Sequence, residues 1–386
     1  MKILINTSNL YVGGGVQVAL SFINELKKIN KSHIYYIFLS RVIDKELNKS
    51  AFPENFHFFL IENSPAPLMT RKKVVKKLAT LEEQIEPDVV FTIFGPSYWR
   101  PKARHIVGFA DGWVYNPSSV VYKKLPMLKR WKMQLRSHYK SYHLKKDSDY
   151  LVVETNDAKI KLATVTRIDK NTIFVVGNTY STIFDDKQYI SKDNKNYIYL
   201  PKKEKNEFRF IYIAHNHPNK NIAIINEIIP LLDKNLNIKF VLTIDEISYH
   251  SLFPNQPKQI INIGPVSQKS CPSIYEQCDA LFAPTLLETF SAVYPEAMKM
   301  RKPILTSNYS FAKDICQDAA LYFEPLKPKE IAEKIVKFIH NKKLQEELVA
   351  KGEERLKTFE TARSRAVKYL EILEQIYVPE KYRYFI

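Results

Sequence analysis

The chain alternates short apolar, β-rich runs with amphipathic helical stretches, and it does so twice, with a polar interval between the two series. In the first series strands are predicted at Lys2–Asn6, Ile34–Ser40, His57–Ile61, Val89–Phe94, Ile106–Ala110, Tyr150–Glu154 and Ile173–Val176. Helical periodicity fills the gaps at about Val16–Lys28, Arg71–Ile85, Tyr122–Lys145 and Asp157–Val165. Parallel strands need a crossover between them, and a helix supplies one while covering a sheet face, so repeated β-then-α alternation predicts a doubly wound parallel α/β sheet. A second series runs through Phe208–Ala214, Ile238–Thr243, Ile260–Ile263, Ala280–Ala283, Pro303–Thr306 and Ala320–Phe323, followed by long amphipathic helices from Pro328 to about Tyr377. The expected organisation is a Rossmann-like domain over 1–185, a polar, lysine-rich linker over 186–206 and a second Rossmann-like domain over 207–365. A closing helix and tail over 366–386 would cross back to the first domain. At 386 residues the chain is long enough for two cores.

Localisation signals are few. Met1–Asn6 reads as a strand with no secretory h-region behind it, and no apolar run reaches the roughly 18 residues needed to span a bilayer, so a cytoplasmic location is expected. Cys271, Cys278 and Cys316 are an odd number without a C-x-x-C pair, so neither a disulfide framework nor a zinc site is expected.

The chemistry concentrates where a buried strand gives way to a helix, in the stretch Asp279 to Met300. Glu288 falls in the loop after the apolar run Ala280–Ala283, and Glu296 one to two turns into the helix that follows. Loops at the carboxyl ends of parallel strands are where ligands bind, and unpaired N–H groups near Phe290, Ser291 and Ala292 would form an anion seat. One carboxylate could then reach a sugar ring, the helix start a diphosphate, and the other carboxylate a ribose. A bare pair of glutamates at this spacing also fits a solvated helix face.

The Glu-x7-Glu element, followed by Lys302-Pro303-Ile304-Leu305-Thr306-Ser307, resembles the signature of the retaining GT-B glycosyltransferases often called family 4. The resemblance implies a GT-B architecture, two Rossmann-like domains facing a central cleft, and transfer of a sugar from a nucleotide diphosphate sugar to a glycan or lipid-linked glycan hydroxyl in cell-surface polysaccharide synthesis. No metal and no cofactor are implied. Lys220 in Ala214-His-Asn-His-Pro-Asn-Lys-Asn221 then takes the position of a diphosphate-binding lysine, with the dipole of an expected Ile222–Leu232 helix behind it. The family's usual arginine five residues earlier is replaced by His215, a donor whose charge depends on pH. Gly13, Gly14 and Gly15 match the glycine loop that approaches the donor phosphates and acceptor, and glycine permits that close approach. Asp111 follows a strand end where relatives have His-Asp. Here the histidine is Ala110, so only Asp111 carries over, as a candidate for acceptor contact or proton handling beside the simpler role of a turn or capping residue. Asn178 matches a loop asparagine near the cleft.

The mechanism so implied demands stabilisation of charge developing on the leaving diphosphate, for which Lys220, His215 and the helix start would be preorganised donors. Glu288 would hold sugar hydroxyls and Glu296 the ribose, so the two are not expected to act as a hydrolase acid and nucleophile. The departing phosphate can accept the acceptor's proton. Asp147-Ser-Asp149 precedes a strand rather than following one and reads as a solvated loop, not a metal site.

Charge adds a partner. The chain carries 58 basic and 41 acidic residues, a net +17, and 122–146 contains nine basic residues and no acidic one. Leu128, Trp131, Leu135, Tyr139 and Tyr142 recur there at helical spacing, and Arg71, Lys72, Lys73, Lys76 and Lys77 form a second basic cluster. Core packing is the simpler reading of the aromatic stripe, while the charges fit an anionic membrane surface, and the two can hold together. Peripheral membrane association of the first domain is expected. A GT-B sugar-nucleotide epimerase is the nearest enzymatic rival, distinguished by release of a free epimer without acceptor. Nucleic-acid binding would account for the charge but not for Glu288 and Glu296.

Overall fold

The computed structural model describes residues 1–11, 13–29 and 32–377. The expected tail Val378–Ile386 lies outside them. Two compact units are present, each built on one all-parallel sheet with helices on both faces.

The first unit comprises Met1–Pro117, Trp131–Gly177 and the segment from Glu360 on. Its strands are β1 (Lys2–Asn6), β2 (Ile34–Ser40), β3 (Phe56–Ile61), β4 (Val89–Thr92), β5 (Arg104–Gly108), β6 (Tyr150–Val153) and β7 (Ile173–Val175). They lie in the order β3-β2-β1-β4-β5-β6-β7. Strands such as β4 are buried along their whole length, because a parallel sheet is covered on both faces. That is why they read as unbroken apolar runs. The Gly14–Ile29 helix buries Val16, Ala19, Phe22, Ile23 and Leu26. Against it packs the Ala362–Ile376 helix, whose Tyr369 ring meets Phe22 and Phe91 edge-on and tilted, at 5.3 and 5.0 Å.

The second unit comprises Ser118–Arg130 and Asn178–Phe359. Its strands are β8 (Glu207–Tyr212), β9 (Asn237–Leu242), β10 (Ile260–Asn262), β11 (Ala280–Ala283), β12 (Ile304–Ser307) and β13 (Ala320–Phe323), in the order β10-β9-β8-β11-β12-β13. The stretch 186–206 packs on this unit rather than hanging free. Leu200 is buried in its core, and Ile198 and Gln277 exchange hydrogen bonds with neighbouring backbone and side chains, Gln277 Nε2 donating to Ile198 O at 2.7 Å.

Other readings are corrected by the structure. The helix expected over Tyr122–Lys145 is two, Val120–Lys124 and Met127–Asp147, because Leu125 before Pro126 is extended. The helix expected over Ile222–Leu232 is broken into Ile224–Ile228 and a 3-10 turn, Ile229–Leu231, containing Pro230. Asp147 and Asp149 are not a solvated loop. Asp147 is buried against His143 Nδ1 at 2.6 Å, and Asp149 accepts from His105 N at 2.8 Å. The aromatic stripe does not enter the core; Trp131, Leu135, Tyr139 and Tyr142 are exposed. Among the described residues no helix is long and apolar enough to cross a membrane.

Candidate functional site

In the second sheet the strand order reverses between β8 and β11: β9 and β10 lie to one side, β12 and β13 to the other. At such a switch point the loops leaving two adjacent strands diverge to opposite faces and leave a crevice at the strands' carboxyl ends. The loop after β8 carries His215 to Asn221, and the loop after β11 carries Pro284 to Ala292. Sequence separates Lys220 and Glu288 by 68 positions, and the topology makes them neighbours.

The two loops are stitched by backbone and side chain. Leu286 N donates to Asn219 O at 2.7 Å, Thr285 Oγ1 donates to the same carbonyl at 3.0 Å, and Asn219 Nδ2 donates to Leu287 O at 2.8 Å. On this frame the Lys220 ammonium donates to a Glu288 carboxylate oxygen, which lies 3.4 Å from Thr285 Oγ1. Both side chains of the pair are largely shielded from water. Burial acts to lower the Lys220 pKa, but Glu288 and Tyr212 raise it more, so the net shift is upward and the ammonium stays charged. Tyr212, at the end of β8, is fully buried, and burial pushes its hydroxyl up to about 12.

Lys220 does not begin a helix as expected. It closes a 3-10 turn, Pro218–Lys220, and Asn221 beyond it is left-handed with φ 53°, so its position owes nothing to a helix dipole. Asn221 is braced by donating to Pro325 O at 3.0 Å and by accepting from Lys124 Nζ at 2.7 Å. His215 is exposed, its ring 6.4 Å from that of His217.

Glu296 sits in the first turn of the Val293–Lys299 helix, slightly earlier than expected, and is buried. Burial raises its carboxyl to about 7, opposed by a hydrogen bond from Tyr275. Phe290, Ser291 and Ala292 lead into that helix. Ser291 O accepts from Tyr294 N at 3.2 Å, Ala292 O accepts from Glu296 N at 3.0 Å, and the Phe290 ring lies 6.2 Å from that of Phe359.

In the first unit the glycines follow β1. Gly13 has φ 76°, a left-handed conformation that favours glycine, and a Cβ on Gly15 would come within 3.3 Å of Phe94. Gly14 starts the helix with open space at its Cα. Asn9 secures this loop, donating to Phe94 O and to Pro96 O. Asp111 caps the Gly112–Tyr115 helix by accepting from Trp113 N at 3.1 Å, and it forms an ion pair with Lys140. Asn178 opens the second segment of the second unit, its side chain accepting from Thr179 N at 2.9 Å. The structure thus brings Lys220 and Glu288 together and sets Glu296 in the helix that follows the Glu288 loop, while Gly14 and Gly15 open the first helix of the other unit and Asp111 caps a short helix after β5. Asn219, Thr285, Asn221 and Lys124 were missed, because nothing in their local sequence marks which loops the sheet order brings side by side.

Residues 195–355 match the family described as glycosyl transferases group 1, a range inside the second unit. An uncharacterized 41.2 kDa protein in the cps region of Klebsiella pneumoniae is 24% identical over 192 residues, 49% of this chain and 51% of that protein. The chain thus spans about half the length of this curated relative. Among solved structures, Anabaena Alr3699/HepE in complex with UDP-glucose is similar with a TM-score of 0.69 and 13% identity, covering 97% of this chain and 100% of that one. WaaG, a glycosyltransferase involved in lipopolysaccharide biosynthesis, is similar with a TM-score of 0.68 and 12% identity, covering 97% and 99%. At such identities the likeness establishes architecture. The chain has the GT-B fold, and its match over residues 195–355 to the group 1 glycosyl transferases supports a GT-B glycosyltransferase.

Proposed function

We propose that the chain is a retaining, metal-independent glycosyltransferase of the Glu-x7-Glu type, family 4. It would move a sugar from a nucleotide diphosphate sugar to a hydroxyl of a glycan or lipid-linked glycan in cell-surface polysaccharide synthesis. It would work from the cytoplasmic side at an anionic membrane surface. The observation that carries this reading is the Lys220–Glu288 pair at the β8/β11 switch point. A diphosphate entering there competes with Glu288 for the Lys220 ammonium, and the released carboxylate becomes free to accept from sugar hydroxyls. Donor binding would thereby assemble both functions at once.

In this scheme Lys220 stabilises charge as the bond between sugar and diphosphate breaks, helped by the backbone at Phe290 to Ala292 and by His215. Glu296 accepts from the ribose hydroxyls, and that contact favours its ionised form. The departing phosphate takes the acceptor's proton, so neither glutamate need serve as a base. Gly14, Gly15 and Asn178 would line the approach, and Asp111 would contact the acceptor. Support comes from the UDP-glucose bound by the Anabaena relative in fold and from the cps setting of the Klebsiella relative.

The test is thermal unfolding against a panel of nucleotide diphosphate sugars. A ligand that binds only the folded chain raises its stability as the logarithm of concentration over Kd. At least one donor should raise the Tm, and Lys220→Ala and Glu296→Ala should each shrink that rise, while Glu288→Ala should lower turnover more than donor binding. A panel without any stabilising member would overturn the proposal.

A further inference from the structure

Residues 131–147 of the Met127–Asp147 helix are held to the first unit along one side only. Ser137, His143, Leu144 and Asp147 are buried, and Lys140 is paired with Asp111. The opposite side carries Trp131, Leu135, Tyr139 and Tyr142, whose spacing of four, four and three residues places them on one stripe. Trp131 is 60%, Leu135 50% and Tyr142 57% exposed. Arg71, in the first turn of the Leu68–Ile85 helix, stacks its guanidinium over the rings of Tyr98 and Tyr139 at 4.4 and 5.3 Å. It thereby ties that helix start to the stripe. One turn before Arg71, Leu68 and Met69 are 75% and 99% exposed.

Exposed cations flank these groups: Lys72, Lys73, Lys76 and Lys77 on one helix, Lys132, Arg136, Lys145 and Lys146 on the other. Residues 68–79 and 131–146 contain no acidic side chain. Large apolar side chains standing in water among cations, on helical stretches that contain no acidic side chain, match the chemistry of a bilayer interface, where rings and aliphatic chains enter the headgroup boundary and cations meet anionic lipid. Nucleic acid would use the cations and the rings. It offers nothing to Leu68, Met69 or Leu135, which have no stacking face.

We propose that this face, formed by residues 131–147 and the start of the Leu68–Ile85 helix, docks on an anionic lipid bilayer. The proposal rests on the membrane placement within the proposed function and names the surface that achieves it; the donor chemistry is not involved.

The full chain is tested by co-sedimentation with vesicles of phosphatidylcholine alone and of phosphatidylcholine mixed with phosphatidylglycerol, with no nucleotide present. Binding to the mixed vesicles should be stronger by on the order of tenfold, be weakened but not abolished by salt, and shift Trp131 fluorescence to the blue. The triple variant Leu68→Ser, Met69→Ser, Leu135→Ser should lose the salt-resistant part, and Lys132→Glu with Arg136→Glu the lipid-charge preference. Both variants should keep any nucleotide-sugar rise in Tm, which shows that they fold. Equal binding of variants and native chain, indifference to phosphatidylglycerol, or tighter retention on duplex DNA than on the mixed vesicles would each overturn the proposal. Intact vesicle binding without a donor-induced rise in Tm counts against the donor reading alone, and the converse result against this surface alone.

Discussion

Glu296 and the Lys220–Glu288 pair are charged groups taken partly or wholly out of water, and each has a measurable consequence. The Glu296 carboxyl sits at about 7 when folded, against an ordinary value of 4.5, chiefly because it is buried. A folded-state pKa above the unfolded one means that the protonated form stabilises the fold. That contribution is full below pH 4.5 and is lost as pH rises through about 7, amounting to about 3 kcal/mol. Glu296→Gln, which cannot ionise, should match the native chain in urea unfolding near pH 4 and exceed it near pH 8. Equal stability differences at both pH values would show that the carboxyl is not perturbed. For Lys220 and Glu288, removing one partner leaves the other charge poorly solvated, whereas removing both does not. Lys220→Met and Glu288→Gln should each destabilise by about 2 kcal/mol, and the double variant by less than their sum, as read from urea midpoints. The individual glutamates and the lysine were legible in the sequence from their place after strands. Their contact was not, because it depends on β8 lying beside β11. Asp111 shows the reverse limit: the sequence offered both a capping role and a reactive one, and the structure fills the first with Trp113 N and Lys140.

At the scale of elements, the strands were the most legible part, since parallel strands covered on both faces must be continuously apolar, and Ala280–Ala283 and Ala320–Phe323 have their expected bounds. Helix ends were less so. Pro126 and Pro230 interrupt periodic stretches that look continuous when only apolar spacing is counted. The stripe from Trp131 to Tyr142 has the spacing of a core-facing helix, and only the position of its neighbours reveals that this side faces outward. The Ala362–Ile376 helix is the counterexample, a late element wedged into the first unit's core. Its Tyr369 is buried against Phe22 and Phe91. Tyr369→Ala should cost about 3 kcal/mol, whereas Tyr142→Ala, on the exposed stripe, should change stability by less than about 0.5 kcal/mol. Comparable losses at the two positions in denaturant unfolding would contradict the packing described.

On the scale of the whole molecule, the chain path is less regular than the doubled alternation suggested. The second unit borrows Ser118–Arg130 from within the first half, and the first unit is completed only by the segment from Glu360 on. No local sequence signal marks such exchanges, because they follow from which surfaces remain uncovered once each sheet has formed. The late return of Ala362–Ile376 has an outcome for biosynthesis. A polypeptide halted between Phe359 and Ala362 would hold every residue of the Lys220–Glu288 unit and yet leave Phe22 and Phe91 without the Tyr369 ring that covers them. Any chain halted before that point would carry an open apolar seam, and so be marked for chaperones or proteases.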